Sequence, residues 1–172
     1  MAHHAGQHDP AHDPATADKL WALIKDVRIC MMTTNDGGML RSRPMWAQQD
    51  AFRGEVYFFT PAASHKTEEL AADPRVNLSY ADPKGQDYVS ISGTARLSDD
   101  RGRIGELWTE GMRTWFPEGK DDPQLRLLIV TVEAAEYWDS PSSTMVHLYG
   151  YAKAVTTGKP PSPGDNQKVS FQ

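Results

Sequence analysis

The chain is poor in the features that identify most functional classes at sight. It holds a single cysteine, Cys30, in 172 residues. One thiol can close no internal disulfide and build no zinc cage, which fits a reducing compartment such as the cytoplasm. No apolar run approaches the roughly 20 residues that a membrane helix needs. The first basic residue is Lys19, and no apolar segment precedes it; a secretory signal would carry both. Basic residues are in the minority, 18 Lys and Arg against 23 Asp and Glu, the opposite of the balance expected for a nucleic-acid binder. GxGxxG, the phosphate-loop GxxxxGK[ST], HExxH, GxSxG and CxxC are all absent.

Apolar residues are also missing from the two ends. Residues 1–15 contribute five, Met1 and four alanines, and residues 156–172 contribute Val169 and Phe171. Neither end can bury enough surface to offset the entropy of ordering it. The expected division is a disordered leader over 1–15, one domain over 16–155 and a disordered tail over 156–172. The leader carries four of the six histidines, His3, His4, His8 and His12. A metal-binding tract is one reading. A polar, disordered leader is preferred, because no apolar framework would hold four ligands in one geometry.

Inside the domain the hydrophobic period alternates between helical and extended. Leu20, Leu23, Ile24 and Val27 stand at i, i+3, i+4 and i+7, so a helix is expected from Thr16 to about Val27. The run from Ile29 to Thr34, the turn Asn35-Asp36-Gly37-Gly38 and a strand from Met39 to about Gln48 read as a hairpin. Strands are expected over Glu55–Thr60, Arg75–Tyr80, Asp87–Leu97 and Leu125–Trp138, with another over Met145–Val155. A short helix over Ser64–Ala72 turns Leu70 and Ala71 inward, and Asp73-Pro74 ends it. A long helix is expected over Asp99–Trp115. Strands arranged as hairpins and meanders, without strict βαβ alternation, favour a small antiparallel barrel with flanking helices.

Chemistry concentrates between Arg41 and Lys66. Arg41 and Arg43 are two apart on a strand and project from one face, where both could reach one anion. Pro44 removes a ladder donor. Ser64 opens a helix whose free N–H groups and dipole attract an anion, and Lys66 adds a charge. The alternative has Ser64 as a simple cap and the cations as solvated surface. Cys30 reads as a buried core thiol, and His147 as a structural residue more than an acid or base.

The series RxRPMW, VYFFTPxxSHK, DPRVNLSYADP, YVSISGTARL, WFPEGKDDP and VEAAEYWDSPSS, in that order between Asp18 and Tyr151, resembles the general stress protein branch of the pyridoxamine 5'-phosphate oxidase-like superfamily. The resemblance implies a mainly β fold, a six-stranded antiparallel split barrel of the FMN-binding type. It implies a homodimer with flavin at the subunit interface, FMN or alternatively FAD. Arg43 with Ser64, His65 and Lys66 would hold the flavin phosphate. The backbone of Pro44, Met45 and Trp46 would edge the isoalloxazine, with Phe59 and Thr60 beside it. Tyr88 would face the ring, and Trp138 would contact it from the other subunit. After Trp138 the sequence is SPSSTMVHLYG, without the Arg-x-His pair of pyridoxamine-phosphate oxidases, which argues against pyridoxal-phosphate synthesis. Three functions stay open: a flavin-dependent oxidoreductase, a stress protein that stores or senses flavin without turnover, and a barrel whose cleft takes another planar ligand such as haem or a deazaflavin.

Overall fold

The computed structural model describes residues 14–139 and the strand 165–170; for residues 14–16, 139 and 165–170 only the backbone is described. The elements in chain order are α1 (Pro14–Ile24), β1 (Ile29–Asp36), β2 (Met39–Trp46), β3 (Glu55–Pro61), α2 (His65–Ala72), β4 (Arg75–Asp82), β5 (Asp87–Ser98), α3 (Arg101–Leu107), a 3-10 turn (Glu110–Thr114), β6 (Leu125–Asp139) and β7 (Asp165–Ser170).

Six strands pair in the order β2-β1-β4-β5-β6-β3, every pair antiparallel. A bridge between Ala47 and Phe58 joins the two ends of this path, so the sheet curls into a barrel. The expected six-stranded antiparallel split barrel is the observed fold. Closure leaves the residues of one strand face with a common interior. Cys30, Met32, Phe58, Leu78, Ile91, Leu128 and Val130 fill it, and α1 seals one side with Leu20 and Ile24.

Strand β6 is apolar on both faces because it has two cores to serve. Leu128, Val130 and Val132 point into the barrel. Leu125, Leu127 and Ile129 point out, against Ile104 of α3, Met112 of the 3-10 turn, Phe116 and Phe59. Apolar residues on both faces of Leu125–Trp138, read from sequence alone, make sense if part of that surface closes against a second copy. For this half of β6 the same chain supplies the cover.

The long helix expected over Asp99–Trp115 is divided. Asp100 caps α3, accepting from the Arg103 amide at 3.0 Å, and the helix ends at Trp108, whose backbone is extended. The break lets Trp108 pack against Phe59 in a tilted ring contact (centroids 5.8 Å apart, planes at 45°) while Met112 and Phe116 turn onto the same cluster. Helix continuity across Gly105 and Gly111 is weak in its own right, and burial of aromatic area outweighs it. Within α2, Leu70 is buried as expected, but Ala71 is exposed and Glu69 takes the inward position. The expected strand Met145–Val155 lies outside the described residues. Asp165–Ser170, within the stretch that composition reads as a tail, is a strand paired with Ala134–Asp139.

The long β5–β6 ladder contains one irregularity. Ser92 pairs with Ala134 and Gly93 with Val132, which leaves Glu133 as the extra residue of a bulge. A Cβ on Gly93 would stand 2.1 Å from the Thr131 carbonyl oxygen, a distance that only backbone movement could relieve. Gly93→Ala is therefore expected to cost about 1–3 kcal/mol or more in denaturant unfolding. Gly105→Ala, in α3 with open space around it, should instead stabilise by about 0.5–1 kcal/mol.

Candidate functional site

Helix α2 is anchored at both its start and its middle. Ser64 is its N-cap in a capping box: the Thr67 amide donates to Ser64 Oγ and the Ser64 amide to Thr67 Oγ1, the latter at 3.1 Å. One turn on, Glu69 is driven into the protein with its side chain 1% exposed. Its Oε2 accepts from Arg43 Nη2 of β2 at 2.7 Å and from Thr34 Oγ1 of β1, while Arg43 Nη1 donates to the same Thr34 hydroxyl. Burial alone would raise the Glu69 carboxyl; the hydrogen bonds from Thr34 and Arg43 outweigh it and hold the group below its ordinary value.

This arrangement relocates two residues of the expected phosphate cradle. Arg43 is committed to Glu69. His65 is about half exposed and turns the same way, with Nε2 at 3.1 Å from Asp36 Oδ2 and 3.4 Å from Glu69 Oε1. Lys66 remains. It is half-buried, and its ammonium donates to Ser64 Oγ at 3.4 Å. Burial, and then the nearby Arg43 charge, push its pKa down.

Beside Lys66 opens a cleft of about 400 Å³. Its walls come from three places: Pro44, Met45 and Trp46 on β2, Phe59 and Pro61 on β3, and Met112, Trp115 and Phe116 beyond α3, with Ile29 and Gln48 completing them. Trp46 is 48% and Trp115 69% exposed, so two indole rings stand at an apolar opening. Five of the expected site residues, Pro44, Met45, Trp46, Phe59 and Lys66, thus share one cavity. Thr60 adjoins it but is fully buried, and strand alternation puts its side chain on the face opposite Phe59. Sequence reasoning missed Ile29, Gln48, Pro61, Met112, Trp115 and Phe116 as lining residues.

Tyr88 and Trp138 face each other across the β5–β6 ladder, and residues so paired point to the same side. Neither lines the cleft. Leu127 is the β6 residue opposite Phe59, and Trp138 follows it by roughly 36 Å of extended strand. One copy of the chain does not bring these two aromatics to the cleft.

Cys30 is 1% exposed, and burial pushes its thiol up to about 12, against a lowering by the hydrogen bond with the Tyr80 hydroxyl. It is the core thiol that the sequence suggests, and no reaction is assigned to it.

The Glu69 carboxyl is depressed in the folded state, so its contribution to stability is complete above the ordinary carboxylate range and is lost as pH falls through the folded value. Glu69→Gln is expected to lower stability at pH 7 by roughly 1–3 kcal/mol, since Arg43 loses its counter-charge. It should also flatten the decline of the melting temperature below about pH 5. Melting curves from pH 3 to 8 for both proteins (roughly the span over which carboxylates titrate) check this; parallel curves would contradict it.

Comparison with known proteins agrees with the fold. The family profile described as pyridoxamine 5'-phosphate oxidase like matches residues 15–162. Protein bli-3 of Neurospora crassa is 29% identical over 164 residues, covering 89% of this chain and 78% of that protein. General stress protein 26 of Bacillus subtilis is 28% identical over 133 residues, covering 76% of this chain and 93% of that protein. The crystal structure of the general stress FMN/FAD binding protein from Xanthomonas citri superposes with a TM-score of 0.68 at 28% identity, covering 76% of this chain and 93% of that one. The chain belongs to the pyridoxamine 5'-phosphate oxidase like family.

Proposed function

We propose that the cleft binds a flavin, FMN in preference to FAD, and that the protein is a flavin-dependent oxidoreductase of the general stress protein type. The observation that carries this reading is the juxtaposition of Lys66 with an aromatic, apolar cavity. A half-buried ammonium disfavoured by burial and by Arg43 gains most from a bound anion. The first turn of α2 adds backbone donors beside it. The cavity, at about 400 Å³, lies within the usual range for small-molecule sites. Its indole, phenyl and proline surfaces suit a flat ring system. These residues therefore fit a phosphate joined to a planar heterocycle.

In this reading Lys66 and Ser64 hold the phosphate. Arg43 contributes from behind, by keeping α2 in place through Glu69. Pro44, Met45 and Trp46 edge the ring, and Phe59 packs on one side. Bound flavin would supply hydride or single-electron transfer. Lys66 is the one titratable residue among the described residues lining the cleft, so these residues provide binding, orientation and exclusion of water more than proton transfer. That scarcity also favours the second reading, a stress protein that binds flavin without turnover.

Tyr88 and Trp138 enter the site in a homodimer, each pair facing the cleft of the other copy. The exposed Ile29, Met31, Trp46 and Tyr88 would be covered there. No described helix is long and apolar enough to cross a membrane; a cytoplasmic setting rests on the single buried cysteine.

FMN titration followed by quenching of flavin fluorescence tests the assignment. Lys66→Ala is expected to weaken binding about ten- to a hundredfold, the value of one charge-assisted hydrogen bond, with a smaller loss for Ser64→Ala. Unchanged affinity in Lys66→Ala would remove the phosphate site. Loss of flavin absorbance when NADPH or NADH is added without oxygen would select the oxidoreductase. A flavin that stays oxidised with both would select storage or sensing.

A further inference from the structure

We infer that Asp36, His65 and Glu69 form a binding site for a divalent transition-metal ion, zinc or manganese in character. The site does not depend on the flavin reading. The three side chains come from the end of β1 and from i and i+4 of α2, and one ligand atom from each lies within 4.8 Å of the others.

Separations between ligand atoms decide whether such a group can share one ion. With metal–nitrogen and metal–oxygen bonds of about 2.1 Å, neighbouring ligands in a tetrahedron stand roughly 3.4 Å apart, and in an octahedron about 3.0 Å. His65 Nε2 is 3.1 Å from Asp36 Oδ2 and 3.4 Å from Glu69 Oε1. These two edges already have the required length; the third, between the Asp36 and Glu69 oxygens, lies within 4.8 Å and closes to roughly 3.0–3.4 Å only if the part-exposed Asp36 side chain moves onto the ion.

A second observation points to a missing ligand. Glu69 is 1% exposed, yet its Oε1 accepts no hydrogen bond among the described residues. Buried carboxylate oxygens are normally satisfied. This one faces the His65 ring nitrogen and is left over because Arg43 and Thr34 both take Oε2. Those two contacts fix the carboxylate, as the outer partners of a metal ligand do. Asp36 and His65, 34% and 56% exposed, keep the opposite side open for entry and for water ligands. Arg41 also holds Asp36 Oδ2, at 3.0 Å, in an exposed pair that a doubly charged ion would displace. One imidazole and two carboxylates suit zinc or manganese better than the all-oxygen preference of calcium or magnesium.

The four leader histidines can bind the same ions, so the test must separate the two. Zinc is titrated calorimetrically into the full chain after chelator treatment, first as such and then with His3, His4, His8 and His12 all replaced by asparagine. In the second protein one zinc per chain is expected, with a rise in melting temperature on zinc addition. Adding His65→Ala or Glu69→Gln to that background should weaken binding by more than about tenfold and abolish the rise. His65→Ala touches an exposed side chain, so it keeps the test valid should Glu69→Gln fail to fold. Loss of all zinc binding on replacing the leader histidines would overturn the site. So would unchanged affinity in His65→Ala.

Discussion

The contact on which the rest of this structure depends is the buried pairing of Arg43 with Glu69, shared with Thr34. It ties β2, β1 and α2 to one point. Two charges are taken from water, a step that is costly unless every polar atom is compensated. Here Thr34, Arg43 and Glu69 Oε2 compensate one another while Glu69 Oε1 is left without a hydrogen bond among the described residues, and the result is positional. Helix α2 cannot slide or rotate without leaving Arg43 unpaired. Its first turn, with Ser64 and Lys66, is therefore held beside the cleft. In the proposed reading Arg43 acts indirectly, by setting the place of the cation that a ligand would meet.

The second constraint is the double duty of β6. Its inward residues close the barrel, while its outward residues need the segment from α3 to Phe116. That segment must break its helix at Trp108 to bring Met112 and Phe116 onto the sheet. The same break carries Trp115 to the rim of the cleft. A packing requirement of the outer core thus supplies one wall of the site.

How much of this was legible in the sequence depended on the range of the interaction. The hairpin at Asn35–Gly38, the Ser64 cap and the alternation of β5 depend on neighbours a few residues apart, and each is readable. The alternation of β5 is clear because one face is buried and the other is not. Glu69 was not readable. A carboxylate on a short helix reads as solvated, and its partners Arg43 and Thr34 lie 26 and 35 residues away. The contacts of Arg43 and His65 with Glu69 went unread for the same reason. The two-sided β6 pattern was visible, but pattern does not say which surface covers the second face. Trp115 was assigned to a continuous helix because period alone does not reveal a break driven by aromatic burial. Family resemblance, by contrast, anticipated the barrel and named five residues, from two strands and a helix, that line one cleft.

The central claim is that the cleft beside Lys66 is a flavin site. The visible spectrum of the purified full-length protein tests it most directly, with the pigment released by acid and identified by mass. A flavin spectrum yielding FMN, as isolated or after reconstitution, is the predicted result. A protein that stays colourless and leaves added FMN fluorescence unquenched would contradict the account.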